Sequence, residues 1–200
     1  HMGRSEVSVR VGEHHPVERE LNIQVHLWSS TTANERMDWL LEKATELGAT
    51  TLLPITAERS VLKLKGERAD KKLAHWQAIA VASSEQCGRN RVLQVGTPVN
   101  LSQAIAQLSV APSQAARWVL SLAPGTRSLQ DMMQALKTSK GQGEAKRDEI
   151  IVLSGPEGGL SPTEEAQAIA AGFVPVSLGH RVLRAETAPV AVLSALSCWD

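Results

Sequence analysis

Ser154-Gly155-Pro156-Glu157-Gly158-Gly159-Leu160-Ser161-Pro162-Thr163-Glu164 decides how this chain is read. Ahead of it, Ile150-Ile151-Val152-Leu153 is a short apolar, β-branched run of the sort that forms a strand buried on both faces. Behind it, Ser161-x-x-Glu164 has the spacing of a capping box, with Pro162 at the first helical position, where its missing N–H costs nothing. The unit reads as strand, loop, helix. Three glycines in the loop let a ligand come close to the backbone, and Gly158 is expected to leave the space it needs.

A phosphate cradle is the first guess for such a loop. The Gly-Lys-Ser/Thr ending of a P-loop and the GxGxxG spacing of a dinucleotide fold are both missing, and the charge of Glu157 repels phosphate. A ligand with a cationic or hydrogen-bonding portion suits the loop better. A tight turn that binds nothing is the plainer alternative.

A second strand, glycine turn and helix run through Val174-Pro175-Val176-Ser177-Leu178-Gly179-His180-Arg181-Val182-Leu183-Arg184-Ala185-Glu186-Thr187-Ala188-Pro189. Upstream stand Arg36-Met37-Asp38-Trp39, Lys43-Ala44-Thr45-Glu46-Leu47-Gly48, Pro54, Glu58-Arg59-Ser60 and Glu85-Gln86-x-x-Arg89. From about Leu21 onward, these motifs and their order resemble the SPOUT methyltransferases, and within them the RsmE family, which methylates uracil N3 in 16S ribosomal RNA. Two places depart from the family: Ala33-Asn34-Glu35 stands where a Lys-Gly turn is common, and Ala185 stands where Thr is commonest, so no hydroxyl is catalytic there.

The resemblance implies an α/β fold, mainly a parallel sheet with helices on both faces, closed by a C-terminal trefoil knot. It implies S-adenosylmethionine as cofactor, 16S ribosomal RNA or the small ribosomal subunit as partner, a homodimer, and a cytoplasmic location. Residues 21–200 would be the methyltransferase domain. Residues 1–20 would be the last strand, at Val7 to Val11, and linker of a largely missing PUA-like RNA-binding domain, with His1-Met2 a cloning scar.

Ligands of parallel α/β sheets bind beyond the strand C-termini. Leu122, the Ser154, Gly155, Pro156, Glu157, Gly158 and Gly159 run, and Leu178, Gly179, Arg181, Val182 and Leu183 are therefore assigned to the donor. Arg184 and Arg59 are candidates to stabilise charge on the uracil oxygens, and Glu186 to accept a proton or, equally, to cap its helix. Arg59, Gln86 and Arg89 are the candidate RNA contacts. Two other readings remain: another SPOUT enzyme acting on transfer RNA ribose or guanine, and a non-catalytic RNA- or nucleotide-binding module.

Composition limits the choices further. The 200 residues can bury one core, and hydrophobic content of 42% belongs to an ordinary globular protein. Lys and Arg number 21, as do Asp and Glu, so RNA contact rests on local patches such as Arg59, Lys63, Lys65, Arg68, Lys71 and Lys72. No apolar run reaches the roughly 20 residues of a membrane span. Cys87 and Cys198 lack metal-ligand spacing, and no metal is expected. Trp39, Trp76 and Trp118 are expected in the core, and the polar segment from Thr138 to Glu149 as a mobile loop.

Overall fold

The computed structural model describes residues 6–61, 66–110, 115–139 and 148–198. Eight strands form one sheet: β1 (Ile23–Ser30), β2 (Thr51–Thr56), β3 (Gln94–Val95), β4 (Val99–Asn100), β5 (Ala116–Leu120), β6 (Arg127–Ser128), β7 (Asp148–Ser154) and β8 (Val174–Ser177). Their order is β3-β2-β1-β7-β5-β8-β6, with β4 also pairing β2, and every pairing is parallel. The helices are α1 (Asn34–Glu46), α2 (Glu67–Cys87), α3 (Leu101–Val110), α4 (Leu129–Ser139), α5 (Pro162–Ala170) and α6 (Thr187–Ser197).

Side chains alternate across the sheet, so each central strand feeds two cores. Val25, Leu27, Ile150 and Val152 pack on one face with Met37 and Leu40 of α1, Trp76 of α2, Met132 of α4 and Val192 of α6. Trp28, Ile151 and Leu153 pack on the other with Leu101 of α3, Ala168 of α5 and Phe173. The rings of Trp28 and Phe173 lie 5.5 Å apart, tilted by 46°. Helices thus cover both faces, as the α/β reading requires.

Several expectations are corrected. Trp76 and Trp118 are fully buried, but Trp39 is 40% exposed, because the buried stripe of α1 runs through Met37, Leu40, Leu41 and Ala44 and misses it. Val7 forms an isolated bridge only, and Val7, Val9 and Val11 are exposed, so no strand forms from 7 to 11. Lys63, Lys65 and most of the 138–149 segment lie outside the described residues, although Ser139 ends α4 and Asp148 begins β7. Among the described residues, no helix is long and apolar enough to cross a membrane.

Residues 17–20 are fastened to the turn after α2. Asn90 Nδ2 donates to Val17 O at 3.0 Å, Arg19 Nη1 to Gly88 O at 3.0 Å, and Arg91 N to Glu20 Oε1 at 2.9 Å. Beneath them Arg89 pairs with Glu20, both side chains 6% exposed. Arg89 Nη1 also donates to the carbonyls of Thr45 and Ala49, at 3.0 and 2.8 Å. An arginine so enclosed closes the C-terminal ends of two helices; the expected RNA contact at Arg89 is corrected to a structural tie.

Candidate active site

Each central strand ends on the same edge of the sheet, and there the chain turns outward. β7 ends at Ser154; Gly159 N then donates to Pro156 O at 2.8 Å, closing a turn in which Gly159 adopts φ +68°. α5 starts immediately afterwards under a full capping box. Ser161 Oγ accepts from Glu164 N at 3.3 Å while Glu164 Oε2 accepts from Ser161 N at 2.9 Å. The stop of β7 and the start of α5 therefore fix the loop between them from both ends.

A neighbouring segment braces the loop from outside. Glu58 N donates to Glu164 Oε1 at 2.8 Å, and Arg59 Nη1 donates to Gly158 O at 2.8 Å. Gly155 allows the close return of the chain: a Cβ there would lie 2.9 Å from Leu160 N. At Gly158 a Cβ would meet only the Arg59 stem, at 3.4 Å, in ordinary contact. Gly155 is the glycine whose Cβ would collide with the loop's own backbone, while Gly158 lines the cavity.

The exits of β5, β7 and β8 enclose a cavity of about 610 Å³. From β5 come Leu120, Ser121, Leu122 and Ala123; from β7 come Ser154 through Leu160. The β8 exit supplies Leu178, Arg181, Val182, Leu183 and Arg184, and Arg59 completes that part of the wall. β5 ends at Leu120, which leaves Leu122 in the loop beyond it, 68% exposed.

Of the residues assigned in advance, Gly179 stands outside the lining. It turns the chain at φ +104°, its N–H donating to Ser177 Oγ at 3.2 Å. Gln86 is exposed on the last turn of α2 and the side chain of Arg89 is enclosed; neither lines the cavity. Glu186 lies behind the wall rather than in it. It is 7% exposed, makes no capping hydrogen bond, and its buried Oε2 has no partner, so the capping alternative falls.

Sequence reasoning missed Arg36 and Glu165. Arg36, in the first turn of α1, lines the cavity with Nη1 2.9 Å from Glu157 Oε1. Glu165, in the first turn of α5, lines it too and accepts from Ser121 Oγ at 2.5 Å. The sequence did carry a signal for Glu165, since an acid in a helix's first turn beside a ligand loop faces the strand exits. Four arginines and two carboxylates border the chamber beside apolar side chains, two serines and loop backbone: the wall suits a ligand with an apolar body and charged or hydrogen-bonding parts. Among the described residues, no group of three or more His, Cys, Asp or Glu side chains could hold a metal.

Comparison with known proteins settles the family. Residues 19–197 match the model of the RNA methyltransferase domain. The chain is 33% identical over 196 residues to ribosomal RNA small subunit methyltransferase E of Bacillus subtilis, covering 98% of this chain and 74% of the relative. The chain belongs to the ribosomal RNA small subunit methyltransferase E family. A structure of the Neisseria gonorrhoeae member bound to S-adenosyl methionine superposes with a TM-score of 0.77 at 34% identity, over 92% of this chain and 70% of that one. A Legionella pneumophila methyltransferase in complex with the same cofactor gives 0.78 at 31%, over 92% and 69%.

Proposed function

We propose that this member of the methyltransferase E family transfers the methyl group of S-adenosylmethionine to N3 of a uridine in 16S ribosomal RNA. The observation that carries the reading is the meeting of three strand-exit loops around one cavity of about 610 Å³. That volume lies in the range of small-molecule sites. Leu120, Leu122, Val176, Leu178 and Leu183 offer apolar packing for a purine and its sugar, and the turn at Pro156 to Gly159 offers backbone amides and carbonyls. Glu157 and Glu165 suit a positive centre.

S-adenosylmethionine, when bound, supplies an electrophilic methyl group on a sulfonium. The protein's task is to hold uracil N3 in line with it, and orientation of that kind is worth up to about 7–11 kcal/mol. N3 attacks only as its proton leaves, which places negative charge on the uracil oxygens. Arg184, exposed at the cavity mouth, is the group in this reading that meets that charge. Arg59 has one nitrogen committed to Gly158 O, so it serves the loop first and the RNA with what remains. Glu186, closed off from the cavity, is not placed to take the N3 proton directly.

The homodimer, the C-terminal trefoil knot and the cytoplasmic setting belong to the same proposal. Leu122 and Val182, 68% and 76% exposed on the cavity rim, support pairing with a second copy. In the same reading residues 21–200 are the methyltransferase domain and those before it lead in from an RNA-binding part. Thermal unfolding with S-adenosylmethionine and, separately, with GTP tests the reading. The methyl donor should raise the midpoint, by about 2.7 kcal/mol of stabilisation at 100 times its Kd, and GTP should not. A shift with GTP alone would replace the enzyme with a nucleotide-binding module.

A further inference from the structure

The buried carboxylate of Glu186 is the least explained group in the molecule. Burying a carboxylate is costly unless it is paired, yet its Oε2 is enclosed without a partner. Among the described residues the cation nearest it is Arg36, whose Nε lies 3.7 Å from Oε1. Arg36 reaches in the other direction to Glu157, 2.9 Å away, which lines the cavity with its side chain 29% exposed. Three distant parts of the chain meet here: the α6 N-terminus, the first turn of α1 and the exit of β7.

Charge explains the arrangement. Without Glu186, the guanidinium of Arg36 would neutralise Glu157. With Glu186 behind it, two carboxylates share one guanidinium, Glu157 at 2.9 Å and Glu186 at 3.7 Å, so the trio carries one net negative charge and Glu157 brings it to the cavity wall. Because one end of this chain is enclosed, solvent ions screen it weakly.

We propose that the Glu186–Arg36–Glu157 chain makes Glu157 a reader of ligand charge, so that the cavity prefers the sulfonium donor to the neutral thioether left after transfer. The inference rests on the donor named under the proposed function. In the transfer, the S–CH₃ bond breaks with its electron pair staying on sulfur, the methyl bonds to N3, and the N3 proton departs to solvent. The ligand's positive charge is thereby lost, and with it the attraction to Glu157. The device holds substrate and loosens product at one site.

Calorimetric titration of the whole chain with S-adenosylmethionine and with S-adenosylhomocysteine tests this without any RNA. The ratio of the two affinities should favour the charged ligand. It should fall about tenfold in Glu157→Gln and in Glu186→Gln, and rise in Arg36→Gln, where two carboxylates are left unopposed. The opposite signs keep the test decisive even where one variant fails to fold. Parallel loss of both ligands, or a ratio unmoved by Glu186→Gln and Arg36→Gln, overturns the inference. Wild-type protein that binds the donor with no preference over the thioether overturns this inference alone; protein that binds neither overturns the proposed function as well.

Discussion

Arg59 Nη1 donates to the carbonyl oxygen of Gly158 at 2.8 Å, joining residues 99 positions apart across the outside of the glycine loop. The same nitrogen lies 3.5 Å from Leu160 O, and Glu58 N donates to Glu164 Oε1, so the segment holds the wall of the cavity from outside. Arg59→Ala should therefore lower donor affinity about fivefold, the effect of roughly 1 kcal/mol for one partly exposed hydrogen bond. Calorimetry with S-adenosylmethionine measures it, and an unchanged affinity would leave Arg59 without this role.

Gly155 and Gly158 should respond oppositely to the same substitution. Gly155→Ala sets a Cβ 2.9 Å from Leu160 N and 3.2 Å from Gly159 C, both backbone atoms that can move only by deforming the loop. Gly158→Ala meets a flexible arginine stem at ordinary contact distance. Donor binding should be lost in the first and kept in the second. Equal binding by both variants would show that the loop does not shape the cavity.

Arg89→Ala should destabilise the fold by about 3–5 kcal/mol, because it leaves the Glu20 carboxylate buried without its cation and the Ala49 carbonyl without its side-chain donor. Chemical denaturation measures the loss. An RNA-contacting arginine would behave differently: its removal would lower the slope of log K against log salt by about one and spare stability. Here the slope should stay as it is.

Acid should weaken the fold through two groups. Burial alone would raise the Glu20 carboxyl, but hydrogen bonds from Arg89 and from the Arg91 backbone outweigh it and hold the group below the usual carboxylate range. A depressed carboxyl contributes stability above its unfolded pKa and loses it as pH falls through the folded value. His26 is also held low, by burial, with Glu149 opposing. Its unfolded form binds the proton more readily, so stability begins to fall as pH drops below the ordinary histidine range. Urea midpoints should decline on acidification first through the histidine range and again through the carboxylate range, and His26→Gln should remove the first step.

The strand-loop-helix unit was legible because its signals are local. Ser161, Pro162 and Glu164 specify a helix start within four residues, and Ile150 to Leu153 specify a strand buried on both faces. The convergence of the β5, β7 and β8 exits followed from the general geometry of parallel sheets. Arg89 misled because a motif of fixed spacing says nothing about burial. Its partner Glu20 lies 69 positions earlier, and only the fold brings them together. Arg36 was overlooked for the same reason, its partner Glu157 being 121 positions away. Trp39 could have been excluded, since it falls between the positions of the apolar stripe of α1.

Asn34 shows a smaller limit of the same kind. Asn34 is a good capping residue by type, yet Ala33 occupies the N-cap with no side-chain hydrogen bond, and Asn34 begins the helix. Thr31 N donates to Ile55 O at 2.9 Å just before it, so pairing to the neighbouring strand's exit fixes where α1 starts. A long-range bond overrides the local preference.

The central claim is methyl transfer to uracil N3. Purified chain, S-adenosylmethionine labelled in the methyl group and small-subunit ribosomal RNA lacking the modification should together give labelled 3-methyluridine on digestion to nucleosides and mass analysis. Label in a ribose or guanine methyl, or no label in RNA from protein that binds the donor, would contradict the account.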